Sequence, residues 1–368
     1  MTITLHIATK KGAFQLRSED RENWELSEPM LFGNIIYHMV PDYRDPTTIL
    51  IATRTGHLGP TIFRSEDGGA TWTEAEQPPR FPEKYDRSID FIFWLTAGHS
   101  SKPGVWYAGT SPQGLFVTED NGRTWESFES FNDNDFIKSI VEGNMGTPIG
   151  PLTHSINIDP QNADHLVLAL SSGGSFQSYD YGKTWSAFNQ NVRADFMPDP
   201  YPETGHCVHN MQLHPTNPNI IYQQNHCGVY RIDQQNDDEW TRIGDNLPDE
   251  IGDIGFALIV HPTDQERVWV IPMDGSDVWP RTSVDGKPAV YATTDGGQSW
   301  SRQDTGLPDR GWFTVLRQAS AHDNQEQLGL YFGNRQGEIW ASIDEGESWK
   351  CIQRYLPDVY SVEVSVEP

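Results

Sequence analysis

The residue types best suited to chemistry are concentrated in two neighbouring segments of the chain. These are GHCVHNMQLH (205–214) and NHCGVYR (225–231). If the two segments pair as a hairpin centred near Asn217, Cys207 and Cys227 lie equally far from its centre and face each other across the strands. The histidines within reach of these thiols would be His206, His209 and His226.

Three interpretations of this cysteine and histidine group are open. Thiolate and imidazole suit soft or borderline metal ions, so Cys207, Cys227 and His206 are candidate ligands of a divalent metal, although their spacing matches no established zinc motif. A cross-strand disulfide is geometrically conceivable but disfavoured in a reducing compartment. The third interpretation is that the cysteines are buried free thiols and the histidines are hydrogen-bonded residues of the core.

A proline-rich insertion, VRADFMPDPYPETGH (192–206), leads directly into the first of these segments. Its carboxylates Asp195 and Glu203 suit acid–base catalysis. Its Arg193 and Tyr201 suit the binding of an anionic or carbohydrate substrate. A solvated lid stiffened by prolines explains the same composition.

Three histidines are the candidate proton carriers of such a site. His154 in THSINI occupies the strand position that His209 occupies in VHNMQL, and His226 lies in the partner segment. Imidazole titrates closer to neutral pH than other side chains, which makes it the commonest general acid or base.

Equivalent loops of three units each carry a cation. Aligning IATKKG, IATRTG and FGNRQG places Lys10, Arg54 and Arg335 at one position, and His57 lies on the same loop as Arg54. The three cations can converge on a carboxylate or phosphate group of a substrate. Alternatively, each pairs with one of the chain's 52 acidic residues or faces solvent.

These candidates belong to a chain that is organised in repeats. Five octets share the pattern Ser/Thr-x-Asp-x-Gly-x-Ser/Thr-Trp, and they end at Trp72, Trp125, Trp185, Trp300 and Trp349. Two degraded copies end at Trp24 and Trp240. The seven tryptophans are separated by 48, 53, 60, 55, 60 and 49 residues, which predicts seven copies of one structural unit.

Each unit contains four short apolar runs bounded by turn residues, which is typical of antiparallel strands. Four strands per unit and seven units predict an all-β fold, a seven-bladed β-propeller that spans residues 1–368 as one domain. Residues 3–24 supply three strands of a blade and the tail 359–366 supplies one. We therefore expect the N-terminal strands to pair with the C-terminal strand and close the ring.

The same topology predicts which face of the disc carries chemistry. The octets and the turns between first and second strands share one face, where the octet aspartates have a structural role. Three long insertions are expected on the opposite face, at about 129–152, 189–206 and 272–289. Long loops of this kind are usually functional or disordered.

Composition excludes several functional classes. The 368-residue chain carries a net charge of −26 at pH 7, which disfavours nucleic acid and anionic membrane surfaces as partners. No apolar run is long enough to span a bilayer, and the N-terminus lacks the pattern of a signal peptide. Three cysteines do not make a disulfide framework, so we expect a cytoplasmic protein.

The octet resembles the Asp-box (BNR) repeat, and the chain resembles the bacterial exo-α-sialidase-like and WD40-YVTN-BNR-like repeat propellers. The same repeat occurs in sialidases, sortilin-type receptors, xyloglucan-degrading endoglucanases and the photosystem II assembly factor. The resemblance implies a propeller but no particular activity. Sialidase activity is not expected, because the Arg-Ile-Pro element is absent, the catalytic Tyr and Glu of sialidases cannot be assigned to any position of this chain, and sialidases have six blades.

Two functions are compatible with the sequence. In the first, a hydrolase or lyase, of a glycosidase-like kind, binds a small anionic or sugar-like substrate at the loop-rich mouth of the channel. In the second, a non-catalytic propeller docks a protein partner, as the photosystem assembly factor does. The titratable residues of the 189–231 region favour the first function.

Overall fold

The seven predicted blades are present, and each is a four-stranded antiparallel sheet. The computed structural model describes residues 1–142, 151–275 and 281–367. Within them, 28 strands form seven sheets, so the prediction of a seven-bladed propeller is confirmed. The hydrophobic clusters lie between neighbouring blades; one joins blade 6 to blade 7 and another joins blade 7 to blade 1.

The first four blades are built from the strands β1 to β15, together with the last strand of the chain. Blade 1 contains β1 (Thr2–Thr9), β2 (Gly12–Ser18), β3 (Glu25–Leu26) and β28 (Val359–Glu367). Blade 2 contains β4 (Ile35–Asp42), β5 (Asp45–Thr55), β6 (Gly59–Ser65) and β7 (Thr73–Glu74). Blade 3 contains β8 (Phe91–Ala97), β9 (Trp106–Ser111), β10 (Leu115–Thr118) and β11 (Glu126–Ser127). Blade 4 contains β12 (Leu152–Ile158), β13 (Leu166–Ser171), β14 (Gly174–Ser178) and β15 (Ser186–Ala187).

The remaining three blades follow the same order from the channel outward. Blade 5 contains β16 (Val208–Leu213), β17 (Ile220–Asn225), β18 (Gly228–Asp233) and β19 (Thr241–Arg242). Blade 6 contains β20 (Gly255–Val260), β21 (Val268–Pro272), β22 (Val290–Thr293) and β23 (Ser301–Gln303). Blade 7 contains β24 (Ser320–His322), β25 (Leu330–Gly333), β26 (Ile339–Ser342) and β27 (Lys350–Gln353). Short helices are few: α1 (Glu129–Asn132), α2 (Asp135–Glu142) and the 3₁₀ turns Glu83–Tyr85, Gly244–Asn246 and Val284–Gly286.

The ring closes through blade 1, as the sequence predicts. Strand β28 pairs antiparallel with β1 from Thr2↔Glu367 to Thr9↔Val359. The N–H of Val362 also donates to the carbonyl of Gln318 in blade 7, at 2.8 Å. Because β28 is the inner strand of its blade, it completes blade 1 and joins the N-terminal strands to blade 7.

The octet turns repeat one hydrogen-bond pattern at the outer edge of five blades. In blade 4, Asp180 accepts hydrogen bonds from the backbone N–H and the hydroxyl of Thr184, at 2.9 and 2.7 Å. These two bonds, with a third from the Ser178 hydroxyl, lower the pKa of Asp180 to about 2. Gly182 has a φ of 75°, and a Cβ there would lie 2.5 Å from the Phe128 ring. The octet is therefore a turn that the local sequence encodes.

A β-bulge recurs at the start of six inner strands. One residue without a cross-strand partner interrupts the register at Tyr360 in β28, Tyr37 in β4, Phe93 in β8 and His209 in β16. In β12 and β20 two residues oppose one on the partner strand. Because a bulge changes the direction of the side chain that it carries, the four single-residue bulges present aromatic or imidazole rings at one end of the channel.

The connections divide between two faces of the disc, which we name by what they carry. The octet face carries the octets and the turns that follow the inner strands. The loop face carries the loops between second and third strands and the connections between blades, so the described residues of the segments 129–152, 189–206 and 272–289 belong to it. Residues 143–150 and 276–280 of these segments lie outside the described residues. Among the described helices, none has the length and apolar character needed to cross a bilayer.

The buried histidine at the ring closure makes stability depend on pH. The His6 ring donates to Ser365 in β28 at 2.8 Å and accepts from Gln15, and burial, assisted by the charge of Arg17, lowers its pKa to about 3. The unfolded chain therefore binds a proton below about pH 6.5 that the folded chain does not bind. We expect His6 to remove about 2 kcal/mol of stability between about pH 6.5 and about pH 5.

Urea unfolding at about pH 7 and about pH 5 tests this expectation. The His6→Gln variant keeps a donor for Ser365 but cannot titrate, so its stability should fall less on acidification than that of the wild type. His57→Gln, at an exposed loop position, should behave like the wild type. If His6→Gln and the wild type lost the same stability between these two pH values, His6 would not contribute to the pH dependence.

Candidate functional site

A cavity of about 310 Å³ opens at the channel mouth on the loop face, and we call it the mouth cavity. Its lining comes from the starts of the inner strands, from the connection that precedes β24 and from the loop between β25 and β26. The lining residues are Tyr37, Phe91, Phe93, Leu316, Arg317, Gln318, Arg335 and Tyr360. Three of its rings belong to bulge positions, so the repeated bulge shapes this cavity.

One wall of the mouth cavity is aromatic. The rings of Tyr37 and Phe91 stack at 4.5 Å, and the rings of Tyr37 and Tyr360 stack at 5.9 Å. Phe93 meets Phe91 edge to face at 6.2 Å. Such a wall offers flat apolar faces to a ligand, while the Tyr hydroxyls provide polar groups at its rim.

The mouth cavity is also lined by a buried cation that has no acidic partner among the described residues. Arg317 is 6% exposed, and its Nε makes no hydrogen bond among the described residues. Its Nη2 lies 3.5 Å from the Ser171 hydroxyl, and its guanidinium lies over the Phe256 ring at 4.7 Å. Burial lowers the pKa of Arg317 to about 10, so the group stays charged at neutral pH. No carboxylate of the described chain forms an ion pair with it, which makes it the strongest anion-binding feature of the mouth.

A cysteine and two histidines meet beside Arg317. The Sγ of Cys207 and one ring nitrogen each of His209 and His226 lie within 4.8 Å of one another. We call these three residues the Cys–His–His cluster. The N–H of His226 donates to the carbonyl of Cys207 at 2.9 Å, so the backbone itself holds the two residues side by side.

The His209 ring has a defined orientation. Its Nδ1–H donates to the carbonyl of Gly255 in blade 6 at 2.6 Å. The lone pair is therefore on Nε2, and the ring packs at 4.6 Å from Phe256 and 5.5 Å from His226. Burial, together with the charge of Arg317, holds the pKa of His209 well below its ordinary value. A neutral imidazole with a free lone pair can accept a proton or bind a metal.

Two other histidines of the predicted set have hydrogen-bonded positions in the scaffold. In His154, Nε2–H donates to the carbonyl of Val208 at 3.0 Å, and Nδ1 accepts from the Ser155 hydroxyl at 2.9 Å. His206 donates from Nε2 to the carbonyl of Val192 at 2.9 Å. His154 thus joins blade 4 to blade 5, and His206 supports the proline-rich insertion.

The two cysteines of the predicted hairpin have different surroundings. The register places His226, rather than Cys227, next to Cys207, because the bulge at His209 shifts the pairing by one residue. Cys227 is buried, and its Sγ accepts from the N–H of Asp195 at 3.4 Å. All three cysteines are free thiols, and the structure contains no disulfide between Cys207 and Cys227.

The other candidates in the insertion lie at its surface. Arg193 pairs with Asp195 at 2.9 Å, and Glu203 and Tyr201 are exposed. Their predicted roles in catalysis and binding stay predictions. Phe196, which the sequence analysis did not single out, meets the His226 ring edge to face at 5.6 Å and so connects the insertion to the Cys–His–His cluster.

The three aligned cations have different surroundings. Arg335 lines the cavity and bonds Asp358 at 3.0 Å. Arg54 is exposed beside Tyr37, where its hydrogen bond partly offsets the rise in the Tyr37 pKa that burial causes. Lys10 is exposed, and so is His57 on the tip of the loop that carries Arg54.

The most consequential residue of the site carried no local sequence signal. Arg317 lies in no sequence motif that distinguishes it from the other arginines of the chain. Only the absence of an acidic residue within its own connection, GWFTVLRQAS (311–320), hinted that it lacks a partner. Phe93 and Tyr360 likewise look like ordinary strand residues in the sequence.

Comparisons with known proteins support the fold. No protein-family model matches the chain. A Paenibacillus xyloglucanase is 24% identical over 324 residues, which are 84% of this chain and 29% of that protein. The chain therefore spans less than a third of this relative's length.

The comparison with solved structures also supports the fold. The GH74 enzyme of Niastella koreensis superposes with a TM-score of 0.55 at 14% identity, over 97% of this chain and 65% of that one. A YCF48 structure with a bound D1 peptide superposes with a TM-score of 0.52 at 16% identity, over 97% of each chain. At these identities the likeness shows a shared seven-bladed propeller architecture.

Proposed function

We propose that the protein is a hydrolase or lyase that binds a small anionic, sugar-like substrate in the mouth cavity. The observation that carries this proposal is the buried Arg317 guanidinium, which faces no carboxylate in the described chain. Desolvating a cation costs several kcal/mol unless an anion compensates for it. In a chain with 52 acidic and 26 basic residues, an unpaired buried arginine is best explained by an anionic ligand.

The mouth cavity suits a small ligand with an apolar face. Its volume of about 310 Å³ is at the lower end of small-molecule sites. A sugar ring would stack on Tyr37, Phe91 or Tyr360, with its carboxylate or phosphate on Arg317. Arg335, released from Asp358, is placed to make a second contact with the anion.

The Cys–His–His cluster supplies the reactive groups of the proposed enzyme. His209 presents a lone pair on Nε2, and His226 lies beside it at the half-buried edge of the cluster. One imidazole would remove a proton from water or substrate while the other returns one to the leaving group. The likeness to GH74 enzymes and a xyloglucanase supports a glycosidase-like reaction.

A ligand screen by thermal shift and calorimetry tests the proposal. Sugar acids and phosphorylated sugars should stabilise the wild type, whereas neutral sugars should not. Arg317→Gln should weaken binding of each hit by about 10- to 100-fold, the effect of losing a charged hydrogen bond. Arg310→Gln, in the same connection but exposed, should bind like the wild type. Hits that bind both variants equally, or no anionic hit at all, would refute the proposal.

A second function is favoured by the distribution of exposed apolar side chains. Six of them lie in loop-face connections: Phe32, Leu58, Phe196, Tyr201, Trp312 and Tyr355. A rim of this kind suits a protein partner. The YCF48 structure with a bound D1 peptide is a propeller of equal extent. A copurifying protein that Trp312→Ala and Phe196→Ala release would favour this docking function.

A further inference from the structure

We infer that Cys207, His209 and His226 together bind one transition-metal ion of the borderline to soft class, such as Zn²⁺. The inference concerns the same mouth as the proposed function but does not rest on it, because metal binding is measured without any substrate. With the ion bound, both imidazoles would be ligands, and a metal-bound water would supply the nucleophile in place of a free histidine base. The cluster is the one group of three such side chains, among the described residues, whose ligand atoms lie mutually within 4.8 Å.

The backbone brings the three ligands together in a defined way. Cys207 precedes the bulge at the start of β16, and His209 occupies it. The bulge turns the His209 ring out of the pairing register. The His226 N–H bonds the Cys207 carbonyl at 2.9 Å in the neighbouring turn. Bulges commonly aim side chains next to functional sites, and here one aims an imidazole at a thiol.

The hydrogen bonds of His209 match those of a metal ligand. A ligating histidine usually donates its second ring N–H to a carbonyl or carboxylate, which fixes the tautomer and ring orientation. His209 donates from Nδ1 to the Gly255 carbonyl at 2.6 Å, and so keeps the Nε2 lone pair for a metal. Packing against Phe256 at 4.6 Å holds the ring in that orientation.

The cluster offers a metal ion one sulfur ligand and two imidazole ligands, and the positively charged Arg317 lies beside it. A divalent ion with one thiolate and two neutral imidazoles retains a positive charge beside Arg317. Its fourth position would therefore take an anion, such as hydroxide, and three protein ligands with an open position are typical of catalytic zinc sites.

Cys227 provides a matched control within the same hairpin. It is a buried free cysteine, but its Sγ accepts from the Asp195 N–H at 3.4 Å and it is not part of the cluster. Cys207→Ser and Cys227→Ser therefore remove one sulfur each, at positions close in sequence. Only the first substitution removes a proposed ligand.

Titration of chelator-treated protein with Co²⁺, followed by Zn²⁺ competition, tests the site. We expect one metal per chain, a thiolate-to-cobalt charge-transfer band and tetrahedral d–d bands in both the wild type and Cys227→Ser. Cys207→Ser should lose the charge-transfer band, and its Zn²⁺ affinity should fall by more than the about 100-fold that loss of an outer hydrogen-bond partner costs. His226→Gln should keep the charge-transfer band while its affinity falls.

Two results would overturn the inference. One is the absence of stoichiometric metal and of a thiolate band in the wild type. The other is a Cys207→Ser variant whose spectrum and affinity match those of the wild type while its circular dichroism shows a native fold. Either result leaves the proposed anion site untouched, because Arg317→Gln reports on that site separately.

Discussion

Replacing Arg317 with methionine should stabilise the ligand-free protein by about 1–2 kcal/mol while it abolishes anion binding. The guanidinium is buried, and the described chain offers it no carboxylate, so folding leaves part of its desolvation cost uncompensated. Methionine fills a similar volume and needs no partner. The gain is reduced by the lost contact with Phe256, a cation–π pair at 4.7 Å.

Urea denaturation tests this prediction by comparing the stability of Arg317→Met with that of Arg44→Met. Arg44 is also largely buried, but it pairs with Asp42 at 2.7 Å and donates to the carbonyls of Lys102 and Val105. Its loss should therefore destabilise the protein by about 3 kcal/mol, because Asp42 is left buried and unpaired. If Arg317→Met were destabilising to the same degree, Arg317 would be a structural residue and the proposed anion site would lose its main support.

Val362→Asp should unfold the propeller or destabilise it by about 4 kcal/mol or more. Val362 is fully buried in β28, opposite Ile7, and its N–H bonds the Gln318 carbonyl of blade 7. A carboxylate at this position would be buried without a partner at the one joint that closes the ring. The loss is a large fraction of the 5–15 kcal/mol of stability typical of folded domains.

The control for the closure lies on the same strand. Glu367 is exposed at the end of β28, and Glu367→Gln should leave the unfolding midpoint unchanged. Far-ultraviolet circular dichroism and thermal unfolding of both variants give the comparison. A Val362→Asp protein with native stability would mean that pairing of β28 with β1 does not hold the ring together.

The ring was predictable because its information is local and repeated. Each octet encodes its own turn, in which an aspartate accepts bonds from the residue four positions later. Seven tryptophans at near-regular spacing then count the blades, and the alternating runs at residues 3–24 and 359–366 identify the closing strands. Neither step requires knowledge of the contacts between blades.

The location of the site was partly predictable. The topology alone directs attention to the loop face, and the sequence identified Cys207, His209 and His226 as reactive residue types. It did not distinguish them from His154 and His206, whose rings bond the Val208 and Val192 carbonyls. The Val208 carbonyl belongs to β16 and the Val192 carbonyl to the proline-rich insertion. Each meets its histidine only when the propeller is folded.

By itself, then, the sequence determined seven sheets and their closure, and it predicted the face that carries the loops. Only the tertiary structure decided which candidate residues share a site, because bulges and contacts between blades set their positions. A bulge shifts strand register by one residue, and one residue reverses the face to which a side chain points. At His209 the shift sets Cys207 beside His226 instead of Cys227. The lack of a partner for Arg317 is likewise a property of the neighbouring blades, and its own segment does not encode it.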